Sequence, residues 1–550
     1  MDLKFKKNIS INVSVKKYLG WETLSFDKGK IFFKGERDSV IKIFEKFKKY
    51  KYDLCIIKKL LFNLNNCSSA IFFNHKYYIC FTDFCRSNPI FLKHEPNHIL
   101  ISNTSEIFKK KIDDVDEESF NYIKLCGYSL GYSTFIKNLK IMKPGEIFYS
   151  NNKNTKLEKY FEYHVTTKKS NLSKEKLKIK FSIIIDNIIK RVIKKANNRP
   201  IWVPLSGGLD SRLIICKLHE NGYKNLNSFS YGLKNNSESR IAKYIARSLN
   251  INWKFIEIKK EEYLNFYSSK EKKKFDKFSD NLQVVPNYQD FLVIKKMLND
   301  RILPKEAIII NGQSGDFNTG NHIPDDLIKN NSFKKFLAAL KKKHFFLFKS
   351  DDNLYFNKII DNFFINYLSF NKTFKKNFAD LYEKWEYEER QIKYVVNGQK
   401  TYDFFGVDWL LPLWDSEFVK FWTSVHKRHR YKQNLYREYL RDWNYKSLFK
   451  KKFTLNSHTG LLAIFIKLLS FSLKISPLKK KIISYFDYFS RYGFYYQYIT
   501  FGMYLKLRDK IKNPTGIHLL TWINQKEIFK KKKSLKFEDS LYLQSVQWFM

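Results

Sequence analysis

The sequence predicts an α/β domain built on a parallel sheet, preceded by a separate α+β domain. Three observations carry that prediction. Residues Ile201 to Arg212, reading IWVPLSGGLDSR, join an apolar strand to a helix through a glycine turn. After that stretch, strand and helix alternate at βαβ spacing, which implies parallel strands with right-handed crossovers. Before it, short strand patterns separated by turn residues crowd the first third of the chain. The predicted plan is 1–165, then 175–456, then an aromatic and basic extension over 457–550.

At 550 residues the chain has room for two or three domains, and 44% hydrophobic residues are enough to bury their cores. Lys plus Arg number 101 against 54 Asp plus Glu, a net charge of +47. The lysines are spread along the whole chain together with abundant Asn, Ile, Phe and Tyr, as codon bias toward A and T produces. Attraction to polyanions is then a consequence of composition. Cys55, Cys67, Cys80, Cys85, Cys126 and Cys216 show no CxxC spacing, so reduced cytosolic thiols are expected. Met1 to Ser10 is polar and basic, unlike a signal peptide. The longest apolar run, Leu461 to Leu478, contains Lys467, Lys474 and Pro477 and reads as a buried or amphipathic helix. A cytoplasmic location is expected, with peripheral contact at the inner face of the membrane left open by the basic extension.

In the first domain, strands are predicted at 69–73, 77–81, 90–92, 99–102 and 146–149, with helices over 38–49 and 121–127. Thr166 to Lys180 is polar and lysine-rich and reads as a linker. A helix over 183–193 follows. Strands are then expected at 201–205, 226–231, 253–258 and 307–310, with a helix over 238–249 and another over 417–425.

The turn after the first of these strands is built for an anion. Gly207 and Gly208 let the backbone bring its N–H groups close to a ligand, and the following helix points its positive end at the same place. Leu205, Ser206, Gly207, Gly208, Asp210 and Ser211 are the candidate phosphate-binding residues. Asp210 adds a carboxylate suited to Mg²⁺. The pattern is neither GxxxxGK[ST] nor GxGxxG.

SGGLDS resembles the pyrophosphate loop of the ATP pyrophosphatases, or PP-loop enzymes, which cut ATP between its α and β phosphates. Further pieces widen the resemblance to the asparagine synthetase family of the glutamine-hydrolysing type. Gly35-Glu36-Arg37-Asp38-Ser39, Cys85 to Phe91, and Thr134 to Glu146 with its Lys143-Pro144-Gly145-Glu146 hinge are similar, in order, to segments of that family's N-terminal glutaminase domain. Ser228 to Gly232, with Tyr231, resembles the segment whose backbone lies along adenine. Asn311 to Gly320 looks like a variant of the family's SGEGADE loop. Gly312 and Asp316 are kept there, Asn311 and Gln313 replace Ser and Glu, and Phe317 replaces the last Glu. Leu411 to Asp415 resembles the PFLD segment, with Asp408 at the family's glutamate and Leu410 where it has arginine. Lys450, ahead of Phe453, is the best match to the pyrophosphate-contacting lysine, with Lys451 and Lys452 beside it.

The resemblance implies an adenine nucleotide α-hydrolase-like synthetase domain behind an Ntn-glutaminase-like α+β domain. That glutaminase uses an N-terminal cysteine, whereas this chain begins Met1-Asp2-Leu3, so a degenerate, inactive glutaminase half is expected. It further implies ATP and Mg²⁺ as cofactors, with Asp210 and Asp316 holding the metal and Asp210, Asp316, Gln313 and Lys450 serving catalysis. A carboxylate would be adenylated and then converted to an amide by ammonia, free or from a separate glutaminase, or by an amine. The altered residue Gln313 points away from aspartate as acceptor and toward another small-molecule or glycan acid, such as a uronic acid of a surface polysaccharide. An intramolecular cyclase of the lasso-peptide or β-lactam synthetase type is the main alternative. A tRNA-modifying PP-loop enzyme and a non-catalytic scaffold rank behind it. Nucleic acid is disfavoured as a partner because the loop follows a whole domain.

Overall fold

The structure, a computed structural model, describes residues 9–450 apart from 18–19, 66–67, 109–114, 152, 165–171, 233, 235, 330, 346–359, 366 and 368–376, together with Tyr485. The expectations for residues 451–550, including Lys451, Lys452 and the 461–478 helix, lie outside the described residues. So does Cys67.

The N-terminal region is two stacked sheets. Six antiparallel strands run side by side in the order Thr155–Lys159, Glu146–Asn151, Tyr77–Phe81, Ser69–Phe73, Gly29–Lys34 and Glu22–Phe26. Four more form the second sheet in the order Ser10–Ser14, His98–Ser102, Phe91–Glu95 and Leu139–Ile141, the first pair parallel. Because side chains alternate along a strand, the six-stranded sheet has two buried faces. Ile71, Cys80 and Phe148 meet Leu92, Ile99 and Ile101 of the second sheet. Ile31, Phe33, Phe72 and Phe81 meet Val40, Ile43, Phe44 and Phe47 of the helix Arg37–Lys49.

Two expectations need correction, and one hairpin was missed. Residues 174–180 are not linker: they open the long helix Lys174–Ala196, whose N-cap Ser173 accepts a hydrogen bond from the Lys176 amide. Leu177, Phe181, Ile185, Ile188 and Val192 bury one stripe of it, so the helix begins well before the apolar run at 183. The hairpin Glu22–Phe26 and Gly29–Lys34 was not anticipated, because Asp27 and Lys28, both at positive φ, make a turn without glycine. Nor do the two regions pack separately. Phe161 and Tyr163 share a core with Phe317, Tyr387 and Trp414 from the other side of the chain.

The second region is a five-stranded, fully parallel sheet in the order Asn252–Glu257, Leu226–Gly232, Ile201–Pro204, Ile308–Ile310, Asp408–Leu410. The first three run outward in one direction from Ile201–Pro204, and the last two run outward in the other. Strand order therefore reverses between Ile201–Pro204 and Ile308–Ile310. In open parallel sheets this is where ligands bind, beyond the carboxyl ends of the strands. No helix among the described residues is long and apolar enough to cross a membrane.

Candidate functional site

Two loops leave the sheet at that reversal. The first is Leu205 to Gly208, between the strand Ile201–Pro204 and the helix Leu209–Glu220. It is held where it leaves the strand. The Leu205 amide donates to Phe229 O at 2.8 Å, and Ser230 Oγ donates to Leu205 O at 2.6 Å. Inside the loop, the Ser206 amide donates to Ser211 Oγ (3.2 Å) and the Gly208 amide to Ser206 Oγ (3.1 Å). Arg212, buried beneath, donates to Gly207 O at 2.7 Å and to Leu448 O at 3.0 Å. The loop is thus fixed before any ligand arrives, with Gly208 exposed at its crest.

The second loop, Asn311 to Ser314, follows Ile308–Ile310 and enters the short helix Gly315–Asn318. It passes so close to the first that a side chain at Gly315 would collide with it and one at Gly312 would be tightly pressed. A Cβ on Gly312 would lie 3.0 Å from the Ser211 amide nitrogen. One on Gly315 would lie 2.5 Å from both Asp210 Cγ and Leu413 Cδ1. Gly315→Ala should therefore destabilise the protein. Overpacking costs about 1–3 kcal/mol, against the ~1 kcal/mol that alanine gains over glycine in a helix. The same substitution should weaken nucleotide binding, since the methyl displaces Asp210; thermal unfolding and ATP titration would measure both.

This approach brings Asp210 and Asp316 together. Asp210 accepts a hydrogen bond from the Asp316 backbone and another from Tyr436 Oη at 2.9 Å. Burial, reinforced by the charge of Asp316, pushes the Asp210 carboxyl up to about 7. Asp316 moves the other way: burial would raise it, but His322 holds it below the usual carboxylate range. His322 Nε2 lies 3.0 Å from Asp316 Oδ2, and Nδ1 lies 2.6 Å from Glu386 Oε1. Burial opposes its charge, yet Glu386 and Asp316 hold the imidazole up to about 9. It therefore donates in both directions at neutral pH.

Two neighbouring carboxylates, one of them raised by burial and by the charge of the other, suit a divalent cation. Among the described residues no group of three or more His, Cys, Asp or Glu converges as a metal cage. The donor set fits Mg²⁺ arriving with phosphate oxygens, since that ion is commonly held by one or two carboxylates plus substrate phosphates.

The other expected residues fall unevenly. Asn311 is buried against Tyr402 Oη (3.3 Å) and accepts from the Gln313 amide (3.1 Å). Gln313 Oε1 accepts a 2.6 Å bond from Gln399 Nε2, which leaves its own Nε2, a donor, as the free end. Tyr231 lies one residue before the end of the strand Leu226–Gly232, with its hydroxyl donating to Asp290. Lys450 is exposed, two residues beyond the Leu448 carbonyl that Arg212 ties to the loop. Asp408 starts its strand, at the end of the sheet away from the loops, and pairs there with Arg199. The glutamate position of the family segment is therefore not part of this site. Arg212, His322, Tyr436 and Glu386 were not anticipated as site residues; Arg212 directly follows SGGLDS, but no contiguous motif announces the other three.

Residues 191–270, which include the first loop, match the family model described as asparagine synthase. No curated protein matches the chain. Among solved structures, an NH3-dependent NAD synthetase from Campylobacter jejuni, in complex with the nitrate ion, is similar over 40% of this chain and 96% of its own, at 16% identity and a TM-score of 0.21.

Proposed function

We propose that the protein is an ATP-dependent, amide-forming ligase of the PP-loop type. It activates a carboxylate as its adenylate, with loss of pyrophosphate, and passes the acyl group to ammonia or an amine, which displaces AMP. One observation carries the reading: Asp210 and Asp316 meet across the strand reversal, beside a loop already shaped for phosphate. The asparagine synthase match over that loop supports it.

ATP would place its phosphates against the Ser206–Ser211 turn, where backbone N–H groups and the positive end of the helix Leu209–Glu220 offset their charge. Asp210 and Asp316 would hold Mg²⁺, which neutralises charge on the phosphates. Ser206 and Ser211 give hydroxyl donors, and Arg212 keeps the turn in shape. Positioning and charge neutralisation are what such a reaction asks of the protein. Lys450 would meet the departing pyrophosphate.

Gln313 bears on the acceptor. Its Oε1 is taken by Gln399, so it offers an amide donor to an acceptor oxygen and cannot take a proton from an amine. A carboxylic acid other than aspartate fits that better. Gln313→Glu puts a negative charge against a carboxylate substrate. It should lower turnover of the native acid about 10–100-fold, as expected for losing a hydrogen bond worth roughly 1–3 kcal/mol. ATP–pyrophosphate exchange with a panel of small and glycan-derived acids tests the whole reading. Mg²⁺-dependent exchange with an acid is expected; exchange with none of them would overturn it.

A further inference from the structure

The Ser314–Asp316 turn is tied down by three side chains outside the loops. Ser314 sits at φ +64, a left-handed conformation uncommon for a residue other than glycine. Its hydroxyl donates to Gln391 Oε1 at 2.8 Å. Gln391 Nε2 donates to Glu386 Oε1 at 3.2 Å, and the same oxygen takes the 2.6 Å bond from His322. His322 then reaches Asp316 Oδ2, while Asp316 Oδ1 accepts from the Phe317 amide at 2.8 Å. The chain of bonds returns to the turn where it began. Glu386 is fully buried and is drawn further by Lys343 Nζ at 3.1 Å.

Backbone winding makes the ring possible. Glu386 ends the helix Phe378–Glu386, and Tyr387–Val395 continues it as a π-helix. With bonds running from i to i+5, residues 386 and 391 fall on one face; in an α-helix they would diverge by more than a quarter turn. A nine-residue π segment is uncommon and here serves two side chains of one network.

We infer that His322, Glu386 and Gln391 are positioning residues: they lock the carboxylate of Asp316 in the orientation that receives the metal of a metal–ATP complex. This rests on the reading of Asp210 and Asp316 as the metal pair. Partners of metal ligands typically contribute 10–100-fold to metal affinity.

The test compares ATP binding by calorimetry in excess Mg²⁺ and in EDTA, with thermal unfolding run in parallel. His322→Leu, which removes the donor to Asp316, should weaken Mg·ATP binding tenfold or more and change metal-free ATP binding less than twofold. His322→Gln keeps a donor and should stay within about threefold of wild type. Gln391→Met should behave as His322→Leu does; it serves as the second probe if that variant fails to fold. Equal Mg²⁺ dependence in His322→Leu, Gln391→Met and wild type would overturn the inference. Asp316→Asn separates the two levels: if it too leaves Mg²⁺ dependence unchanged, the metal-pair reading itself has failed.

Discussion

Replacing Asp210 by asparagine should cut ATP–pyrophosphate exchange about 10²–10³-fold, the usual cost of deleting one preorganised charge-stabilising group, without loss of stability. The two halves of that expectation have one cause. In the metal-free protein, burial and the neighbouring Asp316 charge both disfavour the Asp210 carboxylate, whose pKa stands at about 7. Asparagine removes that repulsion, and its carbonyl oxygen can still accept from Tyr436 Oη, which now bonds Asp210 at 2.9 Å. The unfolding midpoint should hold or rise while exchange collapses. A variant that loses exchange only in proportion to lost folding would show Asp210 to be structural, and one that keeps exchange would sink the ligase reading.

What could be read from the chain depended on whether a feature is contiguous. The phosphate turn needs its serines, glycines and aspartate within six residues, so SGGLDS announces the strand, the turn and the helix together. The parallel sheet was legible for a related reason: Leu226–Gly232 and Asn252–Glu257 follow at βαβ spacing. The ring around Asp316 was not. His322 lies 6 residues from Asp316, Glu386 70 and Gln391 75, and the last two share a face only through a π-helical register. A reading tuned to periods of 3.6 and 2 places them apart. The missed hairpin at 22–34 has the same character, since Asp27-Lys28 adopts positive φ without the Asn-Gly or Asp-Gly that signals such turns. Lysine content hid the first two turns of Lys174–Ala196, because its buried stripe there is only Leu177 and Phe181.

The largest stability effect is expected outside the phosphate turn, at Arg430. Its two terminal nitrogens donate to Glu383 Oε1 and Oε2 at 2.6 and 2.7 Å, its Nε donates to Val425 O at 3.0 Å, and neither side chain is more than 1% exposed. Arg430→Met should cost about 3–5 kcal/mol, the range for leaving one buried charge without its partner. By contrast, breaking the exposed pair Lys16–Glu106 should cost under about 1 kcal/mol. The pH dependence gives the cause away. Asp380 is already pushed up to about 7, by burial first and then by Glu383, with Lys427 and Arg430 opposing. A carboxyl whose folded pKa exceeds its unfolded value of about 4 binds more protons in the native state, so its contribution falls as pH rises from about 4 to 7. Without the guanidinium, Asp380 and Glu383 face each other and that fall steepens. Urea titrations should show a larger deficit for Arg430→Met at pH 8 than at pH 5, and Glu383→Leu combined with Arg430→Met should recover most of it. An equal deficit at both pH values would assign the loss to packing alone. The pair also matters to the site, because one helix carries Glu383 and Glu386. The segment Arg430 anchors runs on through Gln433, bonded to Thr319 Oγ1 at 2.7 Å, to Tyr436 on Asp210. Loosening Arg430 should therefore weaken Mg·ATP binding in the fraction that remains folded.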